Sequence, residues 1–232
     1  MNFAIIAAGE GSRLAKEGIK CPKPLIELQG VPLLERLVRI FERHGANSIN
    51  IIINRRQPQT EAFLRNLKAD CPINIVVEDT PSSMHSLHAL SKHLRGDKFC
   101  LTTVDTLFHE EEFTEYINAL EKCSTGGIMA VTDYIDDEKP LYVATGKGLA
   151  ITGFHDSPTP ETRYISGGIY GLPPQAIDIL DKCMARGIER MRNFQRALVE
   201  NGLELKAHPF KKIIDIDHAE DIAKAEKFLS EE

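Results

Sequence analysis

From residue 3 to residue 132 short apolar runs alternate with segments whose apolar residues recur at helical spacing. That alternation limits what the chain can fold into more than any other feature. Runs at 3–8, 49–53, 73–77, 99–104 and 128–132 read as strands. Residues 32–44 place apolar side chains on one helical face, charges on the other, and stop at Gly45. Further helices are expected over 60–67, 82–94 and 110–122. Strands and helices in alternation imply a mainly parallel mixed sheet covered on both faces, a three-layer α/β/α arrangement. After residue 133 the rhythm changes. Residues 141–154 hold two strand-like runs around Gly146, Lys147 and Gly148, which suggests a hairpin, and 164–170 read as a third run. The stretch 133–171 is therefore expected to be a small β-rich insertion. Helices at 174–186 and 190–200, strands at 204–209 and 212–216, and a helix at 219–229 complete a single domain over 1–232.

The remaining bulk properties exclude more than they identify. A length of 232 residues is ample for a real core. A formal charge of -6 with scattered Lys and Arg gives no basic footprint, so no nucleic-acid partner is expected. No apolar run approaches the ~20 residues that cross a bilayer, so no membrane partner is expected either. The five cysteines form no CxxC pair and no metal-ligand spacing. This usage reads as a reduced, cytoplasmic setting.

The first strand breaks into Gly9, Glu10 and Gly11, followed by Ser12 and Arg13, and a second cation, Lys23, sits between Pro22 and Pro24. Glycines let backbone N–H groups approach phosphate oxygens, and fixed cations neutralise the remaining charge. A nucleotide or another polyphosphate is the ligand this pattern suggests. The two glycines alone are a common turn, and neither a dinucleotide fingerprint nor a Gly-Lys-Ser/Thr loop is present. Among the carboxylates, Asp105 ends a buried strand, where open α/β sheets bind ligands. It could equally cap the helix that starts near 110. Asp215 and Asp217 alternate along an expected strand and so share a face, and Asp217 could also cap the last helix. Ser82, Ser83 and Ser86 gather where the 82–94 helix begins, as ligand contacts or as plain caps. Gly168 within a strand fits close ligand approach or a bulge. His85, His88 and His93 read as surface groups, Lys211 and Lys212 as solvated or phosphate-directed, and the acidic run 110–112 as a favourable helix start.

Taken together, Ala-Ala-Gly-Glu-Gly-Ser-Arg-Leu at 7–14, Pro-Lys-Pro-Leu at 22–25, Gly30, and Pro32 with Leu33 resemble the signature of the nucleotidyltransferases that make sugar nucleotides and related activated alcohols. The resemblance is strongest over 3–41, with islands at 99–108, 164–172 and 213–226. It implies a Rossmann-like fold in which Ala7, Ala8, Gly9, Glu10, Gly11 and Ser12 wrap an NTP. Arg13 and Lys23 then contact its phosphates as the catalytic pair. Ser82, Ser83 and Ser86 lie at the base and ribose, and Gly168 lies beside the ligands in a strand that approaches the acceptor, with 133–171 on the acceptor side. Asp105 holds a catalytic Mg²⁺ and Asp217 completes its site, with Asp215 as the alternate. The implied reaction joins an NTP and a phosphorylated small-molecule acceptor, first of all a sugar 1-phosphate, to give an NDP-sugar and pyrophosphate. Two departures bear on this. Val104 stands where the family has Gly, and residues 154–158 lack the lysine that many members carry in a Glu-Lys-Pro motif for the sugar phosphate. The short length and the missing lysine keep a phosphocholine-type cytidylyltransferase open within the class, and a non-catalytic nucleotide or sugar-nucleotide sensor stays open outside it. Arg13, Lys23, Asp105 and Asp217 together argue against the sensor. A homo-oligomer is left open.

Overall fold

Along the first strand Phe3, Ile5 and Ala7 face one apolar cluster while Ala4 and Ile6 face another, so this strand is covered on both sides. The computed structural model describes residues 1–124, 126–136 and 138–231. In chain order the elements begin with β1 (Asn2–Ala7), α1 (Ser12–Lys16), β2 (Glu27–Leu28), β3 (Val31–Pro32), α2 (Leu33–Arg43) and β4 (Ser48–Ile53). There follow α3 (Pro58–Asn66), β5 (Ile73–Val77), α4 (Ser83–Leu90), β6 (Phe99–Thr103), β7 (Thr106–Leu107), α5 (Glu110–Lys122) and β8 (Gly127–Thr132). The chain continues with β9 (Tyr142–Thr145), β10 (Ile151–His155), β11 (Thr162–Leu172), α6 (Gln175–Ala185) and α7 (Met191–Glu200). It closes with β12 (Leu205–Phe210), β13 (Ile214–Asp215) and α8 (Ala219–Leu229).

Among the described residues the main sheet has nine strands. β5, β4, β1 and β6 pair in parallel, and β8 pairs with β12 in parallel. β11 runs antiparallel to β6, β8 and β9, and β10 antiparallel to β9. It follows that β1, β4, β5, β6, β8, β9 and β12 all point one way and only β10 and β11 oppose them. The expected mainly parallel mixed sheet is the observed one. One face is covered by α2, α5 and α8 through Leu37, Phe41, Phe113 and Phe228, the other by α4, α6 and α7 through Leu87, Leu180, Phe194 and Leu198. The segment 133–171 supplies β9, β10 and most of β11, and so extends the same sheet. Among the described residues no helix is long and apolar enough to cross a membrane.

Two expectations change at the edges. The helix expected over 82–94 is α-helical only to Leu90 and ends in a 3-10 turn over Ser91–His93. The strand expected over 212–216 shrinks to β13, because its partner β7 offers only Thr106 and Leu107 for pairing. Asp217 consequently lies in the loop before α8 and not on a strand.

Candidate active site

Three loops meet at the carboxyl ends of β1, β4 and β6. The first follows β1. Gly11 adopts φ 61, a left-handed conformation that glycine tolerates best, and a Cβ there would stand 3.3 Å from Lys23 Cβ. The loop is pinned from β4: Asn54 Nδ2 donates to the carbonyls of Ala8 (3.0 Å) and Gly9 (3.4 Å), and Gln57 Nε2 donates to the Gly9 carbonyl at 3.0 Å. Both amides are buried. Asn54 and Gln57 carry no motif, and the only sequence signal for them is position, just past a strand's carboxyl end.

Lys23 opens a 3-10 turn between its two prolines, which fixes the direction of a side chain that is only 10% exposed. Its Nζ donates to Asp105 Oδ2 and, at 2.9 Å, to Asp217 Oδ1. Burial would lower the lysine's pKa, but the charges and hydrogen bonds of Asp105 and Asp217 raise it overall. Arg13 Nη1 meets Asp217 Oδ2 at 2.9 Å, with both side chains about half exposed, 54% and 47%. Two cations and two carboxylates thus converge at one point.

The caps considered for these acids belong to other residues. Position before α5 falls to His109 and not Asp105. Before α8, Asp221 Oδ2 accepts from the backbone N–H groups of Asp217 (3.1 Å) and His218 (2.8 Å), and Glu17 accepts from Ala219 N at 2.6 Å. These bonds fix the Asp217 loop and leave its carboxylate for the site. Asp215 takes a different direction. Its Oδ1 accepts from Thr106 Oγ1 at 3.0 Å, and Thr106 shares a 2.7 Å bond with Thr103. Although Asp215 is exposed and lines two spaces neighbouring the cleft, the protein crowded around its carboxyl and the Asp105 charge push its pKa up, against the Thr106 bond and the Lys23 charge.

The cleft beside this centre has a volume of about 680 Å³ and runs from Ala8–Arg13 to Thr80–Ser86. Ala8, Gly9, Glu10, Gly11, Ser12, Ser82, Ser83 and Ser86 all line it, whereas Ala7 lies behind it in β1. Ser82 holds the N-cap position of α4, but its hydroxyl bonds His85 Nδ1 at 2.9 Å and caps no helical N–H. Ser86 is buried and bonds Thr80 at 2.6 Å. Gly168, at φ 75 where β11 changes register, lines a neighbouring chamber and not this cleft. A Cβ on it would lie 3.1 Å from Thr106 Oγ1. A third space, beyond Arg13, is bounded by Tyr134, Asp215, Asp217 and Lys224. Lys212 is occupied elsewhere, its ammonium 4.7 Å from the Tyr134 ring centroid.

Asp105 and Asp217 are hard oxygen donors gathered about one cation, a donor set that suits Mg²⁺. That ion needs only one or two carboxylates when phosphate oxygens and water complete its shell. Among the described residues no three His, Cys, Asp or Glu side chains form a cage of their own.

Residues 3–153 match the model of the MobA-like NTP transferase domain. The chain belongs to that family. The bifunctional protein GlmU of Methanococcus maripaludis is 25% identical to it over 236 residues, which cover 97% of this chain and 53% of that protein. The chain thus spans about half the length of GlmU. Glucose-1-phosphate cytidylyltransferase of Salmonella typhimurium is 21% identical over 220 residues, 78% of each chain. Among solved structures, the inositol-1-phosphate CTP transferase from T. maritima superposes with a TM-score of 0.81 over 99% of this chain and 94% of that one, at 15% identity. A putative glucose-1-phosphate thymidylyltransferase from Bacillus anthracis does so with 0.84 over 98% and 94%, at 18% identity. At these identities the likeness establishes a shared fold, the Rossmann-like α/β architecture.

Proposed function

We propose that this chain transfers a nucleoside monophosphate from an NTP to a phosphorylated acceptor and releases pyrophosphate, with Mg²⁺ as cofactor. The observation that carries this reading is the convergence of Lys23, Arg13, Asp105 and Asp217 beside a pinned glycine loop. An oxygen of the acceptor phosphate bonds to the α-phosphorus as the bond from that phosphorus to the α–β bridging oxygen breaks, and the electron pair leaves with pyrophosphate. The attacking oxygen is already ionised at neutral pH, so no general base and no enzyme nucleophile is required. The chain's task is placement and charge stabilisation. Asn54 and Gln57 hold the loop backbone in place before the nucleotide arrives. Arg13 is held by an exposed ion pair of a kind worth about 0–1 kcal/mol, so redirecting its planar fork to a phosphate costs little. Lys23 supplies a fixed point charge to a second phosphate. Mg²⁺ held by Asp105 and Asp217 would neutralise phosphate charge that the two cations do not reach.

A sugar 1-phosphate is the first acceptor class. The space beyond Arg13, with Tyr134, Asp136, Glu138 and Glu220 on its walls, favours a second reading, a phosphocholine-type cytidylyltransferase, because carboxylates and an aromatic face suit a cationic head group. The test is pyrophosphate release from each of CTP, UTP, GTP, ATP and dTTP with Mg²⁺. Glucose 1-phosphate, inositol 1-phosphate and phosphocholine are offered in turn. Release that requires one NTP and one acceptor is expected. Clear NTP binding with no release in any pairing would leave the sensor reading in its place.

A further inference from the structure

We propose that Arg190 is an anion-binding residue of the chamber lined by Gly168 and that it selects a phosphomonoester as the acceptor's reacting group there, an inference that rests on the transferase reading above. The chamber, of about 300 Å³, shares Ser83 and Thr103 with the nucleotide cleft and is bounded elsewhere by Lys139, Arg190, Arg192 and Asp215. Three cations against one carboxylate make its lining positive. Arg192 is engaged: Nη1 donates to Asp156 Oδ1 at 2.6 Å and Nη2 to the Lys139 carbonyl at 3.0 Å. The Arg190 guanidinium has no hydrogen-bond or ion-pair partner among the described residues.

The backbone adds a second observation. Arg190 immediately precedes α7 with φ 72 and ψ 139, a conformation that L side chains rarely adopt and glycine adopts freely. The chain nevertheless carries its largest cation there, at the rim of a cationic chamber. A phosphate monoester is close to dianionic at pH 7, and a guanidinium fork meets two of its oxygens at once. The junction at Ser83 and Thr103 is also where an acceptor oxygen would face the α-phosphorus of a bound NTP. Arg190 therefore takes the part left open by the absence of a lysine at 154–158, from the opposite side of the sequence.

The test uses the full chain and the variants Arg190→Ala, Arg190→Lys and Arg190→Gly. With the nucleotide cleft saturated by an NTP analogue bearing an α,β-methylene bridge, inorganic phosphate is titrated calorimetrically. Loss of a charge-assisted contact predicts phosphate binding at least about tenfold weaker in the Ala and Gly variants, with the analogue's affinity within about twofold. Lys is expected to fall between. Arg190→Gly should melt at or above the wild-type temperature, which separates lost affinity from lost structure. In turnover, the acceptor KM should rise at least about tenfold in the Ala variant while the NTP KM stays within about twofold. Phosphate bound equally well by wild type and Arg190→Gly, or not at all by wild type, overturns the inference. Arg190-dependent phosphate binding without pyrophosphate release from any pairing would uphold the anion site and remove the transferase reading instead.

Discussion

At Lys23 burial and charge oppose each other. Burial disfavours an ammonium, the Asp105 and Asp217 carboxylates favour it, and the carboxylates prevail. Because the folded pKa is raised, the contribution to stability is complete below the lysine's ordinary value and is lost only as pH rises through the higher folded one. The Lys23 ammonium therefore stays charged throughout the neutral range. Lys23→Ala should lower pyrophosphate release about 10²–10³-fold, the usual effect of deleting one preorganised charge donor. The chain should still fold, with unfolding free energy reduced by about 1–3 kcal/mol for the partners left behind. Release rates and a denaturant titration check the two parts. Gly11→Ala tests the backbone beneath the lysine. The left-handed φ costs an alanine about 1–2 kcal/mol, and the new methyl group would press on Lys23 Cβ, so nucleotide-induced thermal shifts should shrink with stability. That Arg13, Lys23, Asp105 and Asp217 would gather was legible in the sequence, because the two cations lie in glycine- and proline-marked runs and the two acids follow apolar ones. Asn54, Gln57 and Arg190 were not, because an amide after a strand and an arginine in a turn acquire meaning only from what the fold brings near them.

At the scale of elements, α2 and α5 are stapled twice. Phe41 stacks on Phe113 with ring centroids 5.9 Å apart, and Arg43 holds Glu110 through Nε at 2.7 Å and Nη2 at 2.5 Å. Arg43's hydrogen bonds are the largest cause of the lowered Glu110 pKa. A lowered carboxylate pKa means stability present above the unfolded value, ~4.3, and lost as pH falls through the folded one. Glu110→Gln should thus reduce the melting temperature at pH 7, and the gap from wild type should close between about pH 5 and pH 3. The pair is half exposed, so the gap corresponds to at most about 1 kcal/mol. Melting curves across that range decide it; a gap that persists at low pH would contradict the pairing. Helices such as α2 were readable to within a residue or two because their apolar stripe is long. β13 was not, since a strand's length depends on its partner, and β7 provides two residues. The short pairing is also what releases Asp217 into a loop held by Asp221 and Glu17.

At the scale of the whole molecule, the alternation of elements was enough to foresee a covered, mainly parallel sheet. It could not foresee that β11 would run antiparallel between β6 and β8, because strand order is decided by long-range pairing and not by local pattern. That placement of β11 brings Gly168 and Tyr170 to a chamber that shares Ser83 and Thr103 with the cleft beside Lys23, so under the proposed function two ligands would meet across one edge. Chelation with EDTA should abolish pyrophosphate release, and added Mg²⁺ should restore it, if the proposed Mg²⁺ is held by Asp105 and Asp217. The most direct measurement follows the label in an NTP radiolabelled at the α-phosphate and, separately, at the γ-phosphate. The α-label is expected on the acceptor and the γ-label in pyrophosphate, with no label retained on the protein when acceptor is withheld. Transfer of the γ-label to the acceptor, or a protein-bound α-label without acceptor, would contradict it.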